Sequence, residues 1–110
     1  MSIEHTDREA AAVAVRPRVK LSDIEDEIKG RYDFTADKAI GAHMPAMDEL
    51  RLLSICLLVM RNGFVVVGKS APASPENFNA DLGRKFAYED AIRHLWPLMG
   101  FALRDRLAGG

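Results

Sequence analysis

LRLLSICLLVMRNGFVVVGKSA, residues 50–71, is the stretch whose reading decides the fold. It holds the densest apolar run in the chain and is split by Asn62-Gly63, the strongest short-range hairpin signal. A two-residue type I′ turn needs positive φ at both central positions, which asparagine and glycine tolerate, and its twist matches that of the flanking strands. The reading therefore predicts a β-hairpin with strands over about 50–61 and 64–71. That turn sets Met60 opposite Val65, Val59 opposite Val66, Leu58 opposite Val67 and Cys56 opposite Lys69. Both faces of the ribbon then come out apolar, with Cys56, Leu58, Met60, Val65 and Val67 on one and Ile55, Leu57, Val59, Phe64 and Val66 on the other. An antiparallel pair with one wet face alternates apolar with polar residues, so this ribbon needs cover on both sides. Helices can supply one cover; the other face, or an open strand edge, is expected to meet a second copy of the chain. A buried helix over 50–60 is the alternative that periodicity leaves open. It ranks lower because Val65, Val66 and Val67 follow the turn as a β-type partner.

The flanks read as helices and a tail. Residues 1–20 mix charges with an alanine cluster and Arg16-Pro17-Arg18, which predicts a flexible N-terminal arm, with a turn or two of helix over 9–15 when docked. One α+β domain is expected over residues 21–108. Ser22-x-x-Glu25 reads as a capping box opening a short helix over 22–29, with Leu21, Ile24 and Ile28 on one face and Gly30 as its stop. Its acids, Asp23, Glu25, Asp26 and Glu27, complement the helix dipole and need no metal to explain them. In 31–47, Tyr32 and Phe34 alternate with Asp33, suggesting an extended piece or a loop anchored on the core. After the hairpin, Ser74-Pro75-Glu76-Asn77 reads as a helix start with serine at the N-cap. Phe78, Leu82, Phe86, Ala91, Ile92 and Leu95 make an apolar stripe, so a long helix is predicted over about 75–95. Gly83 inside it points to a close approach by another backbone or a ligand. Trp96-Pro97 is expected to break that helix, leaving a short C-terminal helix from Leu98.

Composition narrows the function classes. A chain of 110 residues with 48% hydrophobic side chains supports one core. Its 15 basic and 16 acidic residues leave a net charge of −1, so no global charge draws it to nucleic acid or to an anionic membrane. DNA binding through Arg16, Arg18, Lys20 and Arg84 is correspondingly disfavoured. The apolar run is too short for a membrane helix and no targeting segment is visible, so a cytoplasmic protein is expected. The lone cysteine, Cys56, has no visible base and reads as a small core residue, and His43 stands alone in a loop. No catalytic motif or metal-ligand spacing is present, and neither enzymatic activity nor a cofactor is expected.

Taken together, RYDFTADKAIG and the run LVMRNGFVVVGKSAPASPENFNADLGRKFAYEDAIRHLWPLMGFALRDRL resemble the small tailed-phage accessory proteins of the phage gene-49/gene-66-like family, over about residues 31–107. The most specific pieces are Arg61-Asn62-Gly63-Phe64, Ser74-Pro75-Glu76-Asn77-Phe78, Leu82-Gly83-Arg84-Lys85 and Leu95-Trp96-Pro97-Leu98. Family members often carry a second cysteine where this chain has Pro72, so no thiol chemistry is inferred. The resemblance implies a phage or prophage origin and expression inside a bacterial host cell; it implies no activity.

The polar residues that invite a ligand lie where strand becomes helix: Lys69, Ser70, Ser74, Glu76 and Asn77, followed by Arg84 and Lys85. A helix starting near Pro75 would offer free amides and a positive dipole end to a phosphate or carboxylate. Asn77 or Glu76 could add hydrogen bonds to a ribose or base. The plain alternative is capping residues beside a solvated face. Two functions follow. One is a non-enzymatic homo-oligomer that sequesters a small anionic nucleotide-like molecule, as host-defence evasion requires. The other is a protein-interaction factor that docks on a host enzyme and inhibits it.

Overall fold

A computed structural model describes residues 2–13 and 16–109 of the chain. Three helices and a three-stranded antiparallel sheet follow in the order α1 (Ile3–Val13), α2 (Leu21–Asp26), β1 (Ile28–Thr35), β2 (Ser54–Met60), β3 (Val65–Ser70) and α3 (Ala80–Leu107). Short 3-10 turns at Ala36–Ala39, Asp48–Leu52 and Pro75–Asn77 punctuate the connections. The architecture is α+β, as the sequence predicts, with the strands in the order β1-β2-β3.

The hairpin forms on β2 and β3 with a different turn from the predicted one. The Gly63 N–H donates to the Met60 carbonyl at 2.9 Å and the Met60 N–H to the Phe64 carbonyl at 2.8 Å, so the loop holds three residues, Arg61-Asn62-Gly63. Only Gly63 has positive φ, at 90°, whereas a type I′ turn requires it at Asn62 as well. Asn62 keeps an ordinary φ and its Oδ1 accepts the Phe64 N–H at 3.0 Å. The register consequently slips by one: Val59 faces Val65, Leu58 faces Val66, Leu57 faces Val67 and Cys56 faces Gly68. Because side chains alternate with period two, the slip exchanges the β3 faces. Val66 and Gly68 join Cys56, Leu58 and Met60 against the helices, while Val65 and Val67 join Ile55, Leu57 and Val59 on the opposite face.

The third strand comes from the segment with alternating Tyr32, Asp33 and Phe34. β1 pairs with β2, with Tyr32 opposite Leu57 and Phe34 opposite Ile55, and bulges between Ile28 and Gly30. Gly30 is thus a strand residue and not a helix stop. α2 ends at Asp26, and the turn of the hairpin is tied to it: Arg61 donates its N–H to the Glu27 carbonyl at 2.9 Å and its Nε–H to the Asp26 carbonyl at 2.7 Å. The helix start moves as well. Lys20 is the N-cap, and the Asp23 carboxylate accepts the Lys20 N–H at 2.8 Å, so the reciprocal cap belongs to Asp23 in place of Ser22 and Glu25. This frame buries both Leu21 and Ile24.

Three further boundaries differ. β2 begins at Ser54, because residues 48–52 form a 3-10 turn, and α3 begins at Ala80, capped by Asn79, whose Oδ1 accepts the Leu82 N–H at 3.0 Å. Ser74 opens only the short 3-10 turn and makes no side-chain cap. α3 then runs unbroken through Trp96-Pro97 to Leu107, so the short C-terminal helix predicted from Leu98 is its continuation. Proline removes one N–H, leaving the Arg93 carbonyl without its helical partner, but Arg93 and Pro97 both lie on the exposed side, open to solvent. On the inner side Leu95, Trp96, Met99 and Leu103 pack on the core across the interruption, and the Trp96 indole donates to the Val19 carbonyl at 3.2 Å.

The core lies between one sheet face and the helices. Cys56, Leu58, Met60 and Val66 meet Ile24, Ala87, Ala91, Ile92 and Leu95 there. α3 sits closely on the sheet because small residues line the contact: a Cβ on Gly68 would fall 2.5 Å from the Ala91 nitrogen, and one on Gly83 would reach Ser54. The close approach at Gly83 is made by the Ser54 side chain and not by another backbone. In the N-terminal stretch, α1 buries Ile3 in the same core, and Asp7 accepts hydrogen bonds from Arg18 at 2.8 Å and from the Leu21 N–H at 3.1 Å. The helical turn predicted over 9–15 falls within α1 as far as Val13; residues 14 and 15 lie outside the described residues.

Candidate functional site

The connection from β3 to α3 is built by three local choices. Ser70 ends its strand opposite Ser54, Pro75 starts the 3-10 turn in which the Ser74 carbonyl accepts the Asn77 N–H at 3.0 Å, and Asn79 caps α3. Between the strand ends and the first turns of α3 lies a hollow of about 170 Å³. Its walls bring the hydroxyl residues Ser54 and Ser70 together with the amides of Asn77 and Asn79 and the rings of Phe78 and Phe86. Leu82 and Phe86 are about half exposed at its lip.

Of the seven residues singled out from the sequence, Ser70 and Asn77 line this hollow. Ser74 and Glu76 are exposed on the connection beside it. Arg84 and Lys85 are exposed on the first turns of α3 outside the lining, and Arg84 is ion-paired with Asp81. Lys69 belongs to the opposite sheet face; its N–H donates to Asp90 at 2.9 Å. The sequence reading missed Ser54, Phe78, Asn79 and Phe86. Asn79 carried a usable signal, an asparagine followed by Ala80-Asp81, but the serine-proline pair upstream was the stronger cap pattern. Phe78, Leu82 and Phe86 were read as core at helical spacing, and only the seating of α3 on Gly68 turns Leu82 and Phe86 outward.

A larger groove, of about 700 Å³, opens at the other end of the molecule. Met60, Phe64, Leu98 and Met99 form its apolar part, and Arg18, Arg106, Asp23, Asp26 and Glu27 its charged rim. Three carboxylates against two guanidinium groups make that rim unfavourable for an anion.

Cys56 and Tyr88 are structural. Cys56 is fully buried opposite Asp33, and burial, reinforced by the Asp33 charge, pushes its thiol up to about 11. It is therefore a neutral core residue at physiological pH. Burial also raises Tyr88, whose hydroxyl donates to Glu25 at 2.7 Å while the Arg31 guanidinium lies 4.2 Å from its ring centre. Among the described residues no three His, Cys, Asp or Glu side chains converge as a metal site would require, and no helix is long and apolar enough to cross a membrane.

The family model described as "Phage protein (N4 Gp49/phage Sf6 gene 66) family" matches residues 19–107. No curated protein and no solved structure matches the chain.

Proposed function

The chain belongs to that phage protein family, and from this premise we propose that it is an accessory protein that acts by binding and not by catalysis, sequestering a small anionic nucleotide-like molecule as an oligomer in host-defence evasion. The observation that carries this reading is the chemistry gathered in the hollow at the start of α3. An exposed phenylalanine ring offers a stacking surface, asparagine amides offer both donors and acceptors to a base edge, and the Ser70 hydroxyl suits a ribose. Arg84 and Lys85 are exposed on the adjoining turns of α3, and a phosphate reaching beyond the hollow would draw on them, Arg84 by exchanging its pairing with Asp81. At about 170 Å³ the hollow is below the roughly 300 Å³ at which ligand pockets begin, so it grips part of a nucleotide and leaves the rest outside.

Isothermal titration with AMP, ADP-ribose, a cyclic dinucleotide and inorganic phosphate tests the reading. Binding of at least one nucleotide, lost in both Asn77→Ala and Arg84→Ala, is the expected result. No binding at millimolar ligand, or binding indifferent to both variants, would remove it. The second reading, docking on and inhibiting a host enzyme, is favoured by the larger groove, whose apolar floor and net-acidic rim suit an amphipathic helix with basic flanks.

A further inference from the structure

All described helices cover the same side of the sheet. Glu25 of α2 bonds to Tyr88 of α3, and Thr6 and Ala10 of α1 share a hollow with Trp96 and Leu103 of α3. The other sheet face carries Tyr32 and Phe34 from β1, Ile55, Leu57 and Val59 from β2, and Val65 and Val67 from β3. No described helix packs over it. Tyr32, Val65 and Val67 are exposed by 59%, 52% and 51%. Among the described residues that the strand pairing places on this face, Lys69, at one corner, is the one that carries a charge.

The size of the molecule says how much surface is missing its cover. A compact monomer of 12.2 kDa exposes about 6,100 Å², and this chain exposes 7708 Å², an excess of roughly 1,600 Å². Its radius of gyration is 16.7 Å against about 13 Å for a compact domain of this length, and its thinnest dimension is 17 Å. A standard protein interface takes about 800 Å² from each partner. The bare sheet and the projecting end of α3 share that excess, which is large enough to include a full interface.

We propose that this face is the contact between two copies of the chain, sheet against sheet, forming a four-layer helix–sheet–sheet–helix dimer. A twofold contact requires a patch that is complementary to itself. A flat row of β-branched and aromatic residues without a central charge meets that requirement, because no like charges are brought together, and two such faces pack about 10 Å apart as in a β-sandwich. The inference deepens the oligomer part of the proposed function but rests on the sheet alone. Loss of ligand binding with the dimer intact defeats the ligand reading and leaves this one standing.

Light scattering on the full chain, at micromolar concentration, reads the assembly. The expected mass is twice the 12.2 kDa of the chain. Val67→Glu and Tyr32→Glu, on opposite edge strands at half-exposed positions, should each weaken the dimer at least 100-fold and leave the far-UV circular dichroism unchanged. Phe101→Ser, on the exposed side of α3, should leave the dimer intact. A monomeric wild-type chain, or a dimer that survives both glutamate variants while folded, would overturn the proposal; so would a dimer lost only in Phe101→Ser. If one glutamate variant fails to fold, the other decides.

Discussion

Replacing Gly68 with alanine tests how α3 is seated, since a single methyl group is enough to collide with backbone. A Cβ at that position would lie 2.5 Å from the Ala91 nitrogen and 2.8 Å from its Cβ, and closer still to the Ala87 carbonyl oxygen. Ordinary contact starts at 3.4 Å, so α3 must lift by about 0.9 Å at Ala91 and by more at Ala87. Overpacking costs about 1–3 kcal/mol where side chains can yield. Here the colliding atoms are backbone of a helix that also packs on Cys56, Leu58 and Val66, so the cost is expected at about 3 kcal/mol or above. For a domain of this size that lowers the melting midpoint by on the order of 12–20 °C. Chemical denaturation and calorimetry at one protein concentration measure it, with Gly100→Ala as the opposite control. Nothing lies within 4 Å of a Cβ on Gly100, so alanine there should stabilise α3 by up to ~1 kcal/mol. A loss below ~1 kcal/mol for Gly68→Ala would refute the close seating of α3 on β3.

The other expectations concern single groups. Cys56, with its thiol raised to about 11 by burial, should react with a thiol reagent only as fast as the protein unfolds; rapid labelling of the folded protein would contradict its position. Asp7 is held below the usual carboxylate range, chiefly by its hydrogen bond from Arg18, so its contribution is present above the ordinary aspartate value and is lost as pH falls through the lowered one. Urea unfolding should therefore show stability falling as pH drops below about 4, with a shallower fall in Asp7→Asn; an identical slope in the variant would exclude Asp7. Trp96→Phe removes the bond to the Val19 carbonyl and should cost ~1 kcal/mol by the same assay, while an unchanged stability would show that the bond contributes nothing.

Much of the fold was legible because burial leaves a periodic trace. The apolar run before Asn62-Gly63 marked the hairpin, and its doubly apolar character called for cover on both sides, of which the described helices supply one. The errors come from competitions that one chain segment cannot decide. Asn62 bonding to the Phe64 N–H selects a three-residue loop over a two-residue one, and that choice moves the whole register. Pro97 would end an isolated helix, but Trp96, Met99 and Leu103 anchor α3 on both sides of it. β1 was half visible in Tyr32, Asp33 and Phe34, where Gly30 concealed its start because a β-bulge and a helix stop look alike in sequence. At the candidate site, Ser70 and Asn77 were found by their nearness to the strand-to-helix exit. Ser54 enters only through its pairing with Ser70, a long-range contact with no local signature.

Native mass spectrometry of the protein purified from phage-infected cells tests the central claim most directly. The account predicts an assembly of at least two chains that retains a small anionic molecule, released on denaturation and absent from Asn77→Ala and Arg84→Ala. A bare monomer, or an assembly whose sole retained partner is a host polypeptide, would contradict it.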